Sequence, residues 1–322
     1  MTRFGRSCCG RTAGIAAALL LAGCGASRDP ASPTTPTPSS RSGASRPGIV
    51  STDTLAAWQG QGVVTLVDIR TDVFAYLKSH LPGAVYLNTE TLRASRRGIP
   101  TRLLDAETYA TLFSHMGVPY DRPVVVYSAG ETHNIDATFL AWILAGFGHR
   151  HVYVLDGGFF KWQLEQRPVV APYPRLEETR FPSTPFMPEQ ASLDEVQEAR
   201  RRGDALLVDA RPPDQFAGEA GAQMRRGHIP GAINHYWQDD LAREGFGYVW
   251  RSRDELRKAY QQQGITPDKD IIAYCNSATE ASHVHFTLRN LLGYPRVRVY
   301  VGSWTEWSER TDLPVERGPG PR

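Results

Sequence analysis

Short runs of β-branched and aliphatic residues recur along the chain and alternate with longer stretches whose apolar positions repeat at helical spacing. Thr65-Leu66-Val67-Asp68, Val124-Val125-Val126-Tyr127 and Val152-Tyr153-Val154-Leu155 read as buried strands. So do Ala205-Leu206-Leu207-Val208, Ile271-Ile272-Ala273-Tyr274 and Val297-Arg298-Val299-Tyr300. Between them the spacing predicts helices over Ala137–Gly146 and Ala281–Leu292, with Gly146 and Gly293 as natural stops. Strand, helix, strand in that order predicts an α/β fold, a mostly parallel sheet flanked by helices on both faces. Ligands of such sheets gather at the carboxyl ends of strands, and Cys275 stands at one.

The pattern is written twice. Val67-Asp68-Ile69-Arg70 matches Val208-Asp209-Ala210-Arg211 at an offset of 141. His80-Leu81-Pro82-Gly83-Ala84-Val85 matches His228-Ile229-Pro230-Gly231-Ala232-Ile233 at 148, and Val124 to Ser128 matches Ile271 to Cys275 at 147. Val152 to Phe159 matches Val297 to Trp304 at 145. Matches that keep their order and nearly their spacing predict two homologous domains, 49–170 and 190–316. The Pro-rich stretch 171–189 reads as the linker.

The N-terminus is an address. Arg3, Arg6 and Arg11 precede an apolar run of 11 residues, Ala13 to Gly23, which fits a signal-peptide core and is too short to cross a bilayer. It ends in Leu21-Ala22-Gly23-Cys24, which resembles the bacterial lipobox, where the Cys thiol is acylated and the peptide is cut before it. The alternative is an ordinary secretory signal with a chance Cys. Residues 1–23 are then a lipoprotein signal peptide, and 24–48, rich in Ser, Thr, Pro and Ala, are a disordered tether. The expected location is extracytoplasmic, with the membrane held through lipid on Cys24.

The composition, 41% hydrophobic and 22% charged over 322 residues, excludes disorder along the whole length and a polytopic membrane protein. Net charge is +2, and without the three leader arginines −1, so nothing argues for nucleic acid. Of four cysteines, Cys8 and Cys9 leave with the leader and Cys24 takes the lipid. Cys275 remains as a lone thiol in an oxidising compartment, either buried and inert or kept for its chemistry.

Six residues, Cys275 to Glu280, are expected to turn the chain from strand to helix. Amides of such a turn point inward and favour thiolate over thiol. A depression of about two pKa units, about 2.7 kcal/mol, would raise the ionised fraction at neutrality from about 3% to about three-quarters. Ser277 and Thr279 can add hydroxyl donors.

The strand-end Asp-x-Arg, the His-x-Pro-Gly-Ala segment, the strand–Cys–loop–helix and the Gly302-Ser303-Trp304-Thr305-Glu306-Trp307 ending together resemble the tandem-domain rhodanese-like sulfurtransferases, over about residues 50–315. The resemblance implies two rhodanese-like domains, of which the second carries the nucleophile. Cys275 would attack the outer sulfur of a donor such as thiosulfate or 3-mercaptopyruvate, become a persulfide, and pass the sulfur to cyanide or a thiol. Ser128 takes the equivalent place in the first domain, which would be catalytically silent. Substrate contacts are expected from Asn276, Ser277, Ala278, Thr279, Glu280 and Arg211, although an Asp209–Arg211 structural pair competes for the last. No cofactor and no metal is implied, and a monomer is expected.

The chain departs from the family pattern in the donor region. Asn276-Ser277 stands where thiosulfate-using members carry basic residues and mercaptopyruvate-using members carry Gly-Ser. Gln215 stands where a second Arg is frequent, and Val301 where the ending usually has Asp. Glu280 adds negative charge that opposes a dianionic donor unless it points outward. Two other readings are a non-catalytic sulfane-sulfur carrier or redox sensor, and a phosphatase or arsenate reductase. The last needs an Arg closing the loop, and positions 281 and 282 are Ala and Ser. His80 and His228 read as turn residues bonding backbone. His149, His151, His283 and His285 make no metal set, and Trp237, Trp250, Trp304 and Trp307 read as core aromatics.

Overall fold

A computed structural model describes residues 46–96, 99–129, 134–245 and 247–320. The leader, Cys24 and all but the last three tether residues lie outside them. The first repeat runs β1 (Gly48–Val50), α1 (Thr52–Gly60), β2 (Thr65–Asp68), α2 (Val73–Lys78), β3 (Ala84–Tyr86), an antiparallel pair β4 (Arg93–Arg96) and β5 (Ile99–Leu103), then α3 (Ala106–His115), β6 (Val124–Tyr127), α4 (Ile135–Gly146), β7 (Val152–Leu155) and α5 (Gly158–Leu164). The second repeats this order. It comprises β8 (Gln190–Ala191), α6 (Leu193–Arg202), β9 (Ala205–Asp209), α7 (Pro213–Ala217), β10 (Ile233–Asn234), the pair β11 (Leu241–Glu244) and β12 (Gly247–Trp250), α8 (Arg253–Gln262), β13 (Asp270–Tyr274), α9 (Thr279–His285), β14 (Val297–Tyr300) and α10 (Ser303–Glu309).

Each repeat forms a five-stranded, all-parallel sheet, ordered β1-β7-β6-β2-β3 in one and β8-β14-β13-β9-β10 in the other. The six strands read from β-branched runs appear within a residue of their expected bounds. Central strands of a covered parallel sheet are apolar on both faces, which is why they stand out in sequence. The helices start where side chains can cap them. Ser192 with Glu195 and Ser252 with Glu255 form capping boxes on α6 and α8, and Gly203 closes α6 at φ +67°. The helix expected over 281–292 begins earlier, at Thr279, and passes without a break into a π-helical turn, Phe286–Leu291.

The two repeats share one apolar core, which joins α4 and β6 of the first to β13 and α9 of the second. Where α4 meets α9, the Thr138 and Ser282 hydroxyls lie 3.3 Å apart, and the Trp142 ring meets His285 edge-on. Ion pairs Lys161–Glu244 and Arg102–Glu306 and the bond from the Trp250 amide to Asp156 Oδ1 (3.1 Å) tie the edges. The five prolines of 171–189 keep it out of helix and sheet, yet it is packed down. The Phe181 ring lies 5.0 Å from Phe113 and the Phe186 ring 4.7 Å from Phe147, and the Met187 amide bonds Gly146 O.

Candidate active site

Cys275 leaves the carboxyl end of β13, the middle strand of the second sheet. The turn that follows is only four residues, Cys275 to Ala278, two fewer than expected. Ala278 takes a left-handed conformation, φ +75°, and reverses the chain in one step, so Thr279 and Glu280 already belong to α9. For a residue with a side chain that conformation costs about 1–2 kcal/mol, a strain the surrounding packing must hold. Ser303, at φ +52°, supports the cysteine from behind. Its hydroxyl accepts the Cys275 N–H at 3.2 Å and donates to Tyr300 O, while the Trp304 amide bonds Cys275 O at 2.8 Å.

The Ser277 amide donates to the sulfur at 3.4 Å, and the amides of Glu280 and Ala281, at the start of α9, act in the same sense on its charge. The expected inward ring of N–H groups is therefore present, but its electrostatic result is the reverse of that expected. Cys275 is 1% exposed, and burial pushes its thiol up to about 12. Negative charge on Glu280 adds to the rise, and the three amides oppose it without overcoming it. The resting residue is a thiol. Long N–H···S contacts do not offset removal of a sulfur anion from water.

Glu280, half-buried in the first turn of α9, is close enough for its charge to be felt at Cys275. Burial first, and then Asp209, raise its carboxyl to about 7, with Cys275 and Arg211 pulling the other way. Arg211, expected among the donor contacts, is instead the structural pair. Its Nε donates to both Asp209 oxygens (2.9 and 3.1 Å), and its Nη2 donates to Asp209 Oδ2 (2.6 Å) and Gly227 O (2.8 Å). Its guanidinium lies 4.7 Å from the Trp304 ring centre. Arg70 repeats this in the first domain with Asp68, Ser79 O and Phe159, where no cysteine stands. A cation so engaged and 1% exposed organises the end of β9.

The remaining loop residues form a half-open, uncharged rim. Asn276 Nδ2 donates to Gln215 Oε1 at 2.9 Å, and Gln223 Nε2 reaches both Asn276 Oδ1 and Thr305 Oγ1 at 3.4 Å. Arg93, at the start of β4 in the first domain, donates to Ser277 O (2.8 Å) and Thr279 Oγ1 (3.2 Å). Neither Arg93 nor Gln223 was anticipated from sequence. Gln223 had a signal, the seven extra residues between Arg211 and His228 that lift the repeat offset from 141 to 148. Arg93 had none, because its partner lies in the other repeat.

Ser128 occupies the Cys275 position after β6, and its hydroxyl donates to Asn134 Oδ1 at 3.2 Å. His80 and His228 donate from Nδ1 to Tyr76 O and Phe216 O, as turn residues. His283 and His285 face apart, toward Asp240 and Glu189 respectively. Among the described residues no group of three or more His, Cys, Asp or Glu side chains is placed to hold a metal ion.

The rhodanese-like domain model matches residues 51–165 and again 192–310. A putative thiosulfate sulfurtransferase of Synechococcus elongatus is 37% identical over 260 residues, 79% of this chain and 80% of that one. The sulfur carrier protein TtuD of Thermus thermophilus is 34% identical over 84% of this chain and 96% of its own. The crystal structure of SseA from Escherichia coli, described with the 3-mercaptopyruvate sulfotransferases, superposes with a TM-score of 0.71 at 32% identity, covering 80% of this chain and 98% of that one.

Proposed function

The chain belongs to the rhodanese-like family and is a sulfurtransferase, and from that premise we propose that it moves a sulfane sulfur through a persulfide on Cys275. One observation carries the reading. The cysteine sits at the carboxyl end of the central strand under three amides, while the matching position of the first repeat holds Ser128. The donor is thiosulfate or 3-mercaptopyruvate, which enters across the rim of Asn276 and Ser277, and the acceptor is cyanide or a thiol. The amides of Ser277, Glu280 and Ala281 suit the charge of a persulfide anion better than they suit the resting thiol. In this reading 49–170 is the silent domain and 190–316 the working one.

Thiocyanate formation from cyanide with each donor tests it. Wild type should turn over, and Cys275→Ser should not. Turnover retained in Cys275→Ser overturns the assignment. A carrier role is the second reading, favoured by the burial of Cys275 and by a relative named a sulfur carrier protein. It predicts stoichiometric loading with negligible turnover in the same assay.

We further propose that the chain is a monomer held at the outer face of a bacterial membrane by lipid on Cys24 and the 24–48 tether. Metabolic labelling with a fatty acid should mark wild type and leave Cys24→Ala unmarked. Equal labelling of both overturns the anchor.

A further inference from the structure

The cysteine loop turns at Ala278, which is buried and holds a left-handed conformation that its side chain disfavours. Bonds on both sides of that residue come from the other repeat. Arg93, at the start of β4, donates from Nη1 to Ser277 O at 2.8 Å and from Nη2 to Thr279 Oγ1 at 3.2 Å. One planar fork thus grips the two neighbours of the strained position. The arginine is itself held. Its Nη2 pairs with Glu90 at 3.0 Å, its guanidinium lies 5.4 Å from the ring centre of Phe139 on α4, and the side chain is 9% exposed. The Tyr109 hydroxyl fixes the residue before it, donating to Leu92 O at 2.6 Å. The contact runs one way. The offset of 148 that carries His80 to His228 carries Arg93 to Leu241, the first residue of β11, whose side chain has no donor to return. This asymmetry follows that of Ser128 and Cys275, so the repeat without the cysteine supplies the fork to the repeat that has it.

We propose that Arg93 is a positioning residue for the chemistry at Cys275, a clasp that keeps the reversal at Ala278 in place. This rests on the Cys275 persulfide reading and deepens it, because it gives the silent domain a part in the reaction of the other. Ser277 accepts Arg93 at its carbonyl and donates its N–H to the sulfur at 3.4 Å. The Ala278 carbonyl accepts the first helical bond of α9, from the Ser282 amide at 2.8 Å. Both the Ser277 amide and the start of α9 are thus placed by the backbone around Ala278. A loop that relaxes there turns the amides away from the sulfur, and small misplacements of that kind are costly in rate. Arg93 bonds the loop and not the sulfur, so its loss acts on turnover more than on donor binding.

Arg93→Gln, which loses the fork, and Ala278→Gly, which relieves the strain the fork holds, test this together in the full chain. In Arg93→Gln, kcat for thiocyanate formation should fall about tenfold with KM within about threefold of wild type. In about the first minute of hydrogen exchange, its peptide spanning 275–282 should take up more deuterium than in wild type, while peptides spanning β9 and β14 stay protected in both. Adding Ala278→Gly to Arg93→Gln should recover about fivefold in kcat, and the same substitution in wild type should give no gain. Wild-type exchange over 275–282 in Arg93→Gln, early exchange in β9 and β14 as well, or a gain from Ala278→Gly no larger than in wild type overturns the proposal. If wild type forms no thiocyanate, the transfer reading fails instead, and exchange over 275–282 still decides whether Arg93 holds the loop.

Discussion

Acidification should cost the protein stability at one residue, His283, an effect seen against a variant that lacks it. Its ring is fully buried on α9 behind the cysteine loop, stacked on Trp250 at 4.9 Å with planes 7° apart, and neither ring nitrogen has a hydrogen-bond partner. The nearest carboxylate, Asp240, is spent on His235 (2.9 Å) and on the Tyr260 hydroxyl (2.9 Å) and stays 3.6 Å away. Burial lowers His283 to about 4, against 6.5 in the unfolded chain. The folded protein therefore refuses a proton that the unfolded chain accepts. The stability is present above pH 6.5 and drains as pH falls toward 4, by about 2 kcal/mol at pH 5 and about 3 kcal/mol at pH 4. Other groups act in different windows or cancel. For His235 the Asp240 bond outweighs burial and raises it, which acts above 6.5, and Glu189, held near 2 by His285 and Arg289 despite its burial, acts below 4.5. Asp136 and Asp156, raised to about 6, and Glu280, raised to about 7, all chiefly by burial, favour the folded state as pH falls through the same range, but equally in any His283 variant. Urea denaturation of wild type and His283→Phe at about pH 7.5 and about pH 5 isolates the effect, since Phe keeps the stack and cannot titrate. The wild-type stability should fall relative to the variant by about 2 kcal/mol between the two. Equal pH dependence within about 0.5 kcal/mol would refute the reasoning.

Other consequences are as direct. Arg93→Ala removes two bonds from a guanidinium to the cysteine loop and should cost about 2 kcal/mol of stability with about a tenfold fall in kcat/KM; thermal melts and donor kinetics check both, and unchanged kinetics would show that the loop holds its shape unaided. Gly227 sits at φ +124° with its carbonyl on Arg211, and a Cβ there would run into Glu316 O. Gly227→Ala should therefore destabilise by about 3 kcal/mol or more, read by denaturant midpoint, and a loss under about 1 kcal/mol would contradict the described turn.

The parts legible in the sequence were those with a local cause. Val124–Tyr127 and Asp270–Tyr274 announce themselves because a strand covered on both faces has no polar alternation, and Cys275 follows directly from the second. β4, Arg-Ala-Ser-Arg, and the two-residue β8 and β10 carry no such pattern and exist by virtue of their neighbours. The turn was expected to be too long because Ala278 accepts a conformation its residue type disfavours. Most instructive is the thiol. The amides around it follow from strand–turn–helix geometry, whereas its protonation depends on how deeply the other elements bury it. Depth is a tertiary quantity, as is the arrival of Arg93 from the other repeat.

The central claim is that sulfur passes through Cys275. Its most direct measurement is the intact mass and peptide map of the protein after incubation with thiosulfate or 3-mercaptopyruvate and removal of excess donor. A gain of about 32 Da on the Cys275 peptide is predicted, lost again on adding cyanide and never formed in Cys275→Ser. No gain with either donor, or a gain that survives in Cys275→Ser, would contradict it.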